Sequence, residues 1–242
     1  HWKPRDPSVH LHAGASFAKG LEVARTAFYE QGMSAPDSVA LGLRALIESY
    51  GEFECPADSA KSLERMAGAL EFYFERYPLG RDKAIPMTLP GGKRGIEFSF
   101  LEPIDIKHPV TGDPILYSGR FDMIVDYENM ALGEDDKTAS QLGASWPRQW
   151  DLRSQFTAYV WGAQQAGIKL DGFLVRGVSI LKTKYDTLEA ITYRQQWQPD
   201  RWYEEAHDLA VHYLPGPGPD PCAPPGEHEP HTDPPRREHP HD

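Results

Sequence analysis

Two short segments decide how this chain folds: Gly119-Arg120-Phe121-Asp122 and, shortly after it, Gly133-Glu134-Asp135-Asp136-Lys137-Thr138. Both lie in stretches rich in the aliphatic and aromatic residues that favour strands. The spacing predicts strands over Ile115 to Tyr127 and over Ala131 to Lys137, with a turn at Glu128-Asn129 between them. The sequence therefore predicts a hairpin with an acid on one strand and an acid and a lysine on the next.

The side-chain period of these strands places the charged residues. Successive side chains point to opposite faces of a strand. On the first strand, the odd-numbered residues from Phe121 to Val125 are apolar and are predicted to share the packed face, which leaves Asp122 on the other. On the second strand, Asp135 and Lys137 are two residues apart and share a face. A sheet packed on one side would bring the two aspartates and the lysine into one cleft.

This set of side chains suits metal-assisted hydrolysis of phosphodiesters. Carboxylate oxygens are the ligands that Mg²⁺ or Mn²⁺ prefers, and a bound ion polarises the phosphoryl oxygen and makes hydroxide accessible near neutral pH. A lysine beside it can orient the water or stabilise developing negative charge. The alternative interpretation is a solvated hairpin with an acidic end, because runs of charge usually face water.

A third motif follows on a predicted helix from Gln149 to Ala166, where Gln155 and Tyr159 are four residues apart and share a face. The order G-x-x-D, D-x-K-T and helical Q-x-x-x-Y resembles the RecB-like exonuclease branch of the PD-(D/E)xK nuclease superfamily. That branch includes phage exonucleases and the nuclease domains of bacterial recombination helicases. The resemblance covers residues 10 to 210. It implies an α/β fold with a restriction-endonuclease-like core, a mixed central sheet flanked by helices, behind an N-terminal helical region.

The resemblance implies a role for each motif residue. Asp122 and Asp135 would bind one or two divalent ions, and Lys137 would position water or stabilise charge on the phosphate. Gln155 and Tyr159 would orient the substrate phosphate or the active-site loop. The implied activity is that of a Mg²⁺-dependent deoxyribonuclease, an exonuclease of phage or bacterial recombination. A structure-specific or restriction-type endonuclease and a non-catalytic DNA-binding recombination partner are the alternatives.

Further acids near the motifs are open to two interpretations. Members of the family often begin with a helix that reads G-x-x-x-H-x-x-L-E, and this chain has Ala18 at the histidine position. Glu22 on that helix and Glu97 on a predicted strand are additional candidate metal ligands, or else exposed glutamates. Glu134 and Asp136, which flank the better ligand of the second motif, are expected to be outside the ligand set or on the surface.

Substrate contacts are expected from residues close to the motifs. Arg120, Arg148 and Arg153 are candidates for phosphate, although a solvated surface charge is the alternative for each, and Thr138 completes the D-x-K-T motif. Trp146, in the loop predicted after the second motif, is a candidate for base stacking, whereas Trp161 is expected in the core. The basic residues that could form a local phosphate-binding patch are Arg120, Arg148, Arg153, Arg176, Lys182 and Lys184.

Composition sets the outer limits. A chain of 242 residues predicts one principal domain, and its net charge of −11 argues against a generally basic nucleic-acid binder. No apolar run is long enough for a membrane span. Cys55 and Cys222 are too few for a four-cysteine iron–sulfur cluster and fit a reducing cytoplasm, bacterial or phage-infected. The expected partners are DNA and a single-strand annealing or recombination protein, and oligomerisation is open.

The predicted layout is a nuclease domain over 1–214, with a helical part over 1–82 and a core over 92–213. The segment 215–242 is rich in Pro, His and acidic residues and is expected to be disordered. Helices are predicted over 13–31, 34–50, 59–77 and 199–213, and additional strands over 96–100, 173–180 and 188–193.

Overall fold

The computed structural model describes residues 8–213, so the predicted disorder of 215–242 lies outside the described part of the chain. The helices are α1 Val9–Tyr29, α2 Ala35–Tyr50, α3 Leu63–Arg76, α4 Ser154–Gln165 and α5 Trp197–Tyr213. The strands are β1 Ala84–Pro86, β2 Ser99–Lys107, β3 Pro114–Arg120, β4 Met123–Tyr127, β5 Met130–Ala139, β6 Gly172–Ile180 and β7 Tyr185–Tyr193.

Five strands form a mixed central sheet in the order β1-β4-β5-β6-β7. The pair β4 and β5 is antiparallel, β5 and β6 are parallel, and β6 and β7 are antiparallel. Helix α4 lies between β5 and β6 in sequence, which supplies the crossover that a parallel pair needs. Strands β2 and β3 form a separate antiparallel ribbon. The chain is therefore a mixed α/β protein with a mixed central sheet flanked by helices.

The N-terminal helices cover one face of this sheet. Their apolar residues form one cluster with Val178 and Ile180 of β6. Helices α1 and α2 cross in close contact, since a Cβ built on Gly42 would lie 2.6 Å from the carbonyl oxygen of Gly20. Ser34 is the N-cap of α2 and accepts a hydrogen bond from the Asp37 N–H. The members of this cluster from the three helices include Phe17, Leu21, Leu46, Met66, Leu70 and Tyr73.

Helix α4 covers the opposite face. Phe156 stacks on Phe173 of β6 with ring centroids 4.4 Å apart. Val160 and Ala163 belong to the same buried cluster. Trp161 is buried as predicted and stacks on Tyr203 of α5 at 5.2 Å. The sheet is thus buried on both sides, which explains why β6 is buried along its whole length rather than at alternate residues.

The predicted hairpin between the acidic motifs is confirmed. Glu128 and Asn129 both have positive φ, 53° and 68°, which is the backbone that a two-residue type I′ turn requires. Tyr127 pairs with Met130 at the turn, and Met123 pairs with Glu134 at the far end. The register therefore places Asp122, one residue before β4, beside the acidic part of β5.

The strand predicted over Ile115 to Tyr127 is divided in the structure. The chain leaves the ribbon after Arg120 and enters the central sheet at Met123. Phe121 consequently packs in the α4 cluster, whereas Met123 and Val125 pack in another. The prediction that these three share one face was wrong, because alternation holds only along an unbroken strand.

Several other boundaries differ from prediction, and two of these differences lie close to the motifs. The strand predicted over 96–100 begins at Ser99 and belongs to the ribbon, because Glu97 has a φ of 50° that extended strands do not adopt. The helix predicted from Gln149 begins at Ser154, after a 3₁₀ turn over Pro147–Trp150. Within residues 8–213, no helix is both long and apolar enough to cross a membrane.

Candidate active site

Three of the predicted site residues meet where β4 begins beside β5. Lys137 Nζ lies 2.9 Å from Oδ1 and 2.7 Å from Oδ2 of Asp135, because the two side chains share a face of β5. Asp122 is held from the neighbouring strand, where its Oδ2 accepts a 3.0 Å hydrogen bond from the backbone N–H of Asp136. The backbone thus joins the two acidic motifs.

The acids of this cleft hold their protons more tightly than free carboxylates. Burial, together with the nearby Asp135 and Asp136, raises the pKa of Asp122 to about 6. Burial also raises the pKa of Asp135, although Lys137 opposes the shift. Glu97 has its pKa raised to about 7, chiefly by burial and against the pull of Arg120. Burial is the main cause of all three shifts, and neighbouring acids add to it most clearly at Asp122.

A cavity of about 550 Å³ gives access to Asp122. Its wall includes Ala18 and Glu22 of α1, so the helix position that holds histidine in the resembling family does face the cleft here. Glu22 forms a 2.8 Å ion pair with Lys19. Glu97 is 3.0 Å from Nε of Arg120. Its positive φ is a strained conformation for a glutamate, and such strain concentrates at functional sites.

The donor atoms of the cleft fit a hard divalent cation in kind. All candidate ligands are carboxylate oxygens, the donors that Mg²⁺ and Mn²⁺ prefer. Burial and, after it, neighbouring acids raise their pKa values, and a bound cation would counter the second of these effects. Within residues 8–213, however, no three His, Cys, Asp or Glu side chains are gathered tightly enough to hold an ion together. Asp122 and Asp135 are close enough for Asp135 to raise the pKa of Asp122, and Glu97 lines the same cavity as Asp122.

The other two acids of the second motif point away from the cleft. The side chains of Glu134 and Asp136 are 0% and 1% exposed, so the expectation that they lie on the surface was wrong. Arg25 of α1 donates to both, with bonds of 2.6 and 2.7 Å. The hydroxyl of Tyr73 donates to Asp136 at 2.8 Å. Each is buried because a partner from the helical layer neutralises it.

Sequence reasoning missed Arg25 and Tyr73. A signal was present, because Arg25 follows Leu21 and Ala24 on the apolar face of α1, where an arginine is found only when it is paired. Burial works against its charge, but Asp136, Tyr73 and Glu134 keep its pKa well above the ordinary arginine value. The partners could not be identified from the helix alone.

The third motif contributes packing at the edge of the cleft. Tyr159 lies against Phe121 and Phe100, with ring centroids 5.1 and 5.7 Å away. Gly119 of the first motif adjoins it, since a Cβ there would lie 2.5 Å from Phe100 and 2.8 Å from Tyr159. Gln155 is exposed in the first turn of α4. The tyrosine and the glycine are therefore linked by close packing.

Most of the candidate phosphate contacts are exposed. Arg153 is exposed and close enough to Asp135 to oppose the rise in its pKa, and its guanidinium lies 5.5 Å from the Trp150 ring centroid. Arg148 is exposed on the 3₁₀ turn. Thr138 faces α1, because a Cβ built on Gly14 would lie 3.7 Å from its hydroxyl oxygen. The exposed candidates farther along the chain are Lys182 and Lys184.

Two candidate substrate residues are buried instead. Trp146 is 7% exposed, packs over Gly177 and meets Trp150 edge to face at 5.2 Å, so it offers no face to a base. Arg176 is 1% exposed and donates to Asp82 and Glu189 at 2.8 and 2.9 Å. Both predictions were wrong, since residues distant in sequence enclose these side chains.

Comparison with known proteins carries no argument about the fold or the function. No family model and no curated protein matches the chain. A solved structure described as "Crystal structure of SSO0001" is similar, with 16% sequence identity over 86% of this chain and 79% of that chain and a TM-score of 0.32. A likeness of that strength does not bear on function, which is argued below from the cleft.

Proposed function

We propose that the chain is a divalent-metal-dependent DNA nuclease with a restriction-endonuclease-like core, acting as an exonuclease. The observation that carries the proposal is the meeting of Asp122, Asp135 and Lys137 in one cleft, on adjacent strands of the sheet. Action in phage or bacterial recombination, in the cytoplasm, is the part of the proposal that rests on the motif resemblance alone.

The topology around the cleft supports the core assignment. The antiparallel hairpin of β4 and β5 is followed by α4 and then by β6, parallel to β5. Helix α1 lies in front of the hairpin and contributes Glu22 to the cavity wall. A helix, a hairpin, a helix and a further strand in this order correspond to the core that the motifs imply.

The cleft residues divide the work of hydrolysis. Asp122 and Asp135, with Glu97, would hold Mg²⁺ or Mn²⁺, and the bound ion would supply Lewis-acid activation of the phosphate and of water. Lys137 remains protonated, because Asp135 outweighs the effect of burial and raises the pKa of the lysine. Its ammonium therefore donates hydrogen bonds, to water or to a phosphate oxygen, and stabilises negative charge that develops there.

Local positive charge beside the cleft supports binding of a DNA strand, although the net charge of the chain is −11. Glu97 and its neighbours also line a second cavity, of about 820 Å³. That cavity includes Lys93 and Arg94, at the end of a turn in which Gly91 and Gly92 have φ of 93° and 85°. These two cations and Arg120 supply local positive charge along a path to Asp122.

Cleavage of linear and circular DNA, with Mg²⁺ and with EDTA, tests the proposal. We expect linear DNA to be degraded from its ends with Mg²⁺, and no degradation with EDTA or with Asp122→Asn. Cleavage of circular DNA would indicate the endonuclease alternative of the same fold. DNA binding without cleavage under any metal condition would refute the enzymatic activity and favour a non-catalytic recombination partner. Ala18, in place of the histidine of the resembling family, is consistent with that alternative.

A further inference from the structure

A network of buried charges lies directly behind the catalytic face of β5. Arg25 joins Glu134 and Asp136, and its Nη2 also donates to the Tyr73 hydroxyl at 2.7 Å. Arg176 extends the network from the other side, 3.5 Å from Glu134. Two layers of the fold meet here: the helical layer, through α1 and α3, and the sheet, through β5 and β6.

The network reaches the cleft through one backbone group. Asp136 presents its carboxylate to Arg25 and Tyr73, with bonds of 2.7 and 2.8 Å, while its own N–H donates to the carboxylate of Asp122 at 3.0 Å. Fixing the side chain of Asp136 therefore fixes the direction of its N–H. The direction of that N–H in turn sets where the Asp122 carboxylate rests in the cleft.

We infer that Arg25 and Tyr73 are positioning residues, which hold Asp122 in its metal-binding orientation through Asp136. The inference rests on the proposed function for its catalytic meaning. Neither residue touches the cleft, and both act through the β5 backbone.

Stability alone does not account for this arrangement. Burying an ion network incurs a large desolvation penalty, and apolar residues of similar size often serve a core equally well or better. The network instead connects α1, which bears Ala18 and Glu22 on the cavity wall, with the strand that bears Asp135. Groups that orient the ligands of a metal site act in this way, and their loss weakens metal binding.

Tyr73→Phe is the sharpest variant, because it removes one hydroxyl and leaves the buried ring in place. Glu189→Gln is the matched control: it removes one charge from the far end of the same network, where Glu189 contacts Arg176 but neither Arg25 nor Asp136. Two readouts apply to both: Mn²⁺ affinity of the metal-free protein by calorimetry, and the amide proton resonance of Asp136, which reports its hydrogen bond to Asp122.

In Tyr73→Phe we expect Mn²⁺ binding to weaken about 10- to 100-fold, and the Asp136 amide resonance to move upfield as its hydrogen bond lengthens. Glu189→Gln should leave both unchanged. If Tyr73→Phe does not fold, Arg25→Lys, which keeps the positive charge but loses the forked guanidinium donors, takes its place with the same expectation. Unchanged Mn²⁺ affinity and amide resonance in the folded variant, or equal changes in Glu189→Gln, would overturn the inference.

Failure of the proposed function would look different. A parent protein that neither binds Mn²⁺ nor cleaves DNA would refute the nuclease assignment. The amide resonance of Asp136 would still decide, without metal or substrate, whether Tyr73 positions Asp122.

Discussion

Both carboxylate oxygens of Asp135 lie within 2.9 Å of Lys137 Nζ. The two side chains leave the same face of β5, so the lysine is the fixed counter-charge of the acid. Burial works against the ammonium, but Asp135 and then Asp122 raise its pKa above that of a free lysine. Lys137 therefore serves as a hydrogen-bond donor and a positive charge, and it cannot serve as a general base near neutral pH.

Lys137→Ala should cleave DNA about 10²- to 10³-fold more slowly while binding DNA and metal almost normally, because the lost group stabilises charge that develops in the transition state. Single-turnover rates at saturating DNA measure this effect. Lys169→Ala, which changes an exposed lysine to which no role is assigned, is the control. A parental rate for Lys137→Ala at saturation would make Lys137 a phosphate contact only.

Asp122→Asn and Asp135→Asn should each abolish detectable cleavage and strongly weaken Mn²⁺ binding, because each removes a charged ligand. The fold should persist in both, since burial and neighbouring acids already disfavour the charged forms. Calorimetry with Mn²⁺ and thermal melts of the metal-free proteins make the comparison. Undiminished Mn²⁺ binding in both variants would exclude the metal assignment.

The raised carboxyl pKa values predict the direction of pH dependence. Glu97 and Asp122 have folded-state pKa values of about 7 and about 6, above those of unfolded chains. Between the unfolded and folded values the native state binds more protons, so these two groups make stability fall as pH rises toward 7. The metal-free protein should therefore lose less Tm between pH 5 and pH 8 when it carries Glu97→Gln.

Cleavage should show the opposite trend, because Asp122 must be ionised to bind a cation. Activity at saturating DNA and metal should decline as the pH falls through about 6. For stability, an equal change in Tm between pH 5 and pH 8 in Glu97→Gln and in the parent protein would contradict the raised pKa of Glu97.

Elements with local signals were predictable from the sequence. The turn at Glu128-Asn129 depends on a few adjacent residues and is confirmed, and the second helix ends at Tyr50 as predicted. The meeting of Asp135 and Lys137 required only the period of a strand. Local chemistry thus located the hairpin and most of the candidate site.

Features that depend on distant partners were not predictable. Glu134 is buried because Arg25, 109 residues away, neutralises it, and Trp146 is buried because Gly177 leaves room for its ring. The break after Arg120 arises where the chain passes from the ribbon to the sheet, and strand propensity does not encode that change. Contacts between residues distant in sequence, rather than local conformational preference, determine these features.

Gly119→Ala should destabilise the protein by about 1–3 kcal/mol, the usual effect of overfilling a packed core. The new methyl would press on Phe100 and Tyr159, at 2.5 and 2.8 Å before relaxation. Gly143→Ala is the matched control, because a Cβ there meets nothing within 4 Å. Chemical denaturation of both variants measures the difference. Equal stabilities would show that the aromatic side chains rearrange around the new methyl group without loss of stability.

Trp146→Ala separates packing from base stacking. Because its ring is 7% exposed and fills the space over Gly177, its removal should cost about 3–5 kcal/mol of folding free energy. Trp197 is 57% exposed, so Trp197→Ala should change stability little. Denaturant unfolding and single-stranded DNA affinity, measured for both at a temperature where each is folded, distinguish the roles. Weakened DNA binding with parental stability in Trp146→Ala would show that the ring is available to bases after all.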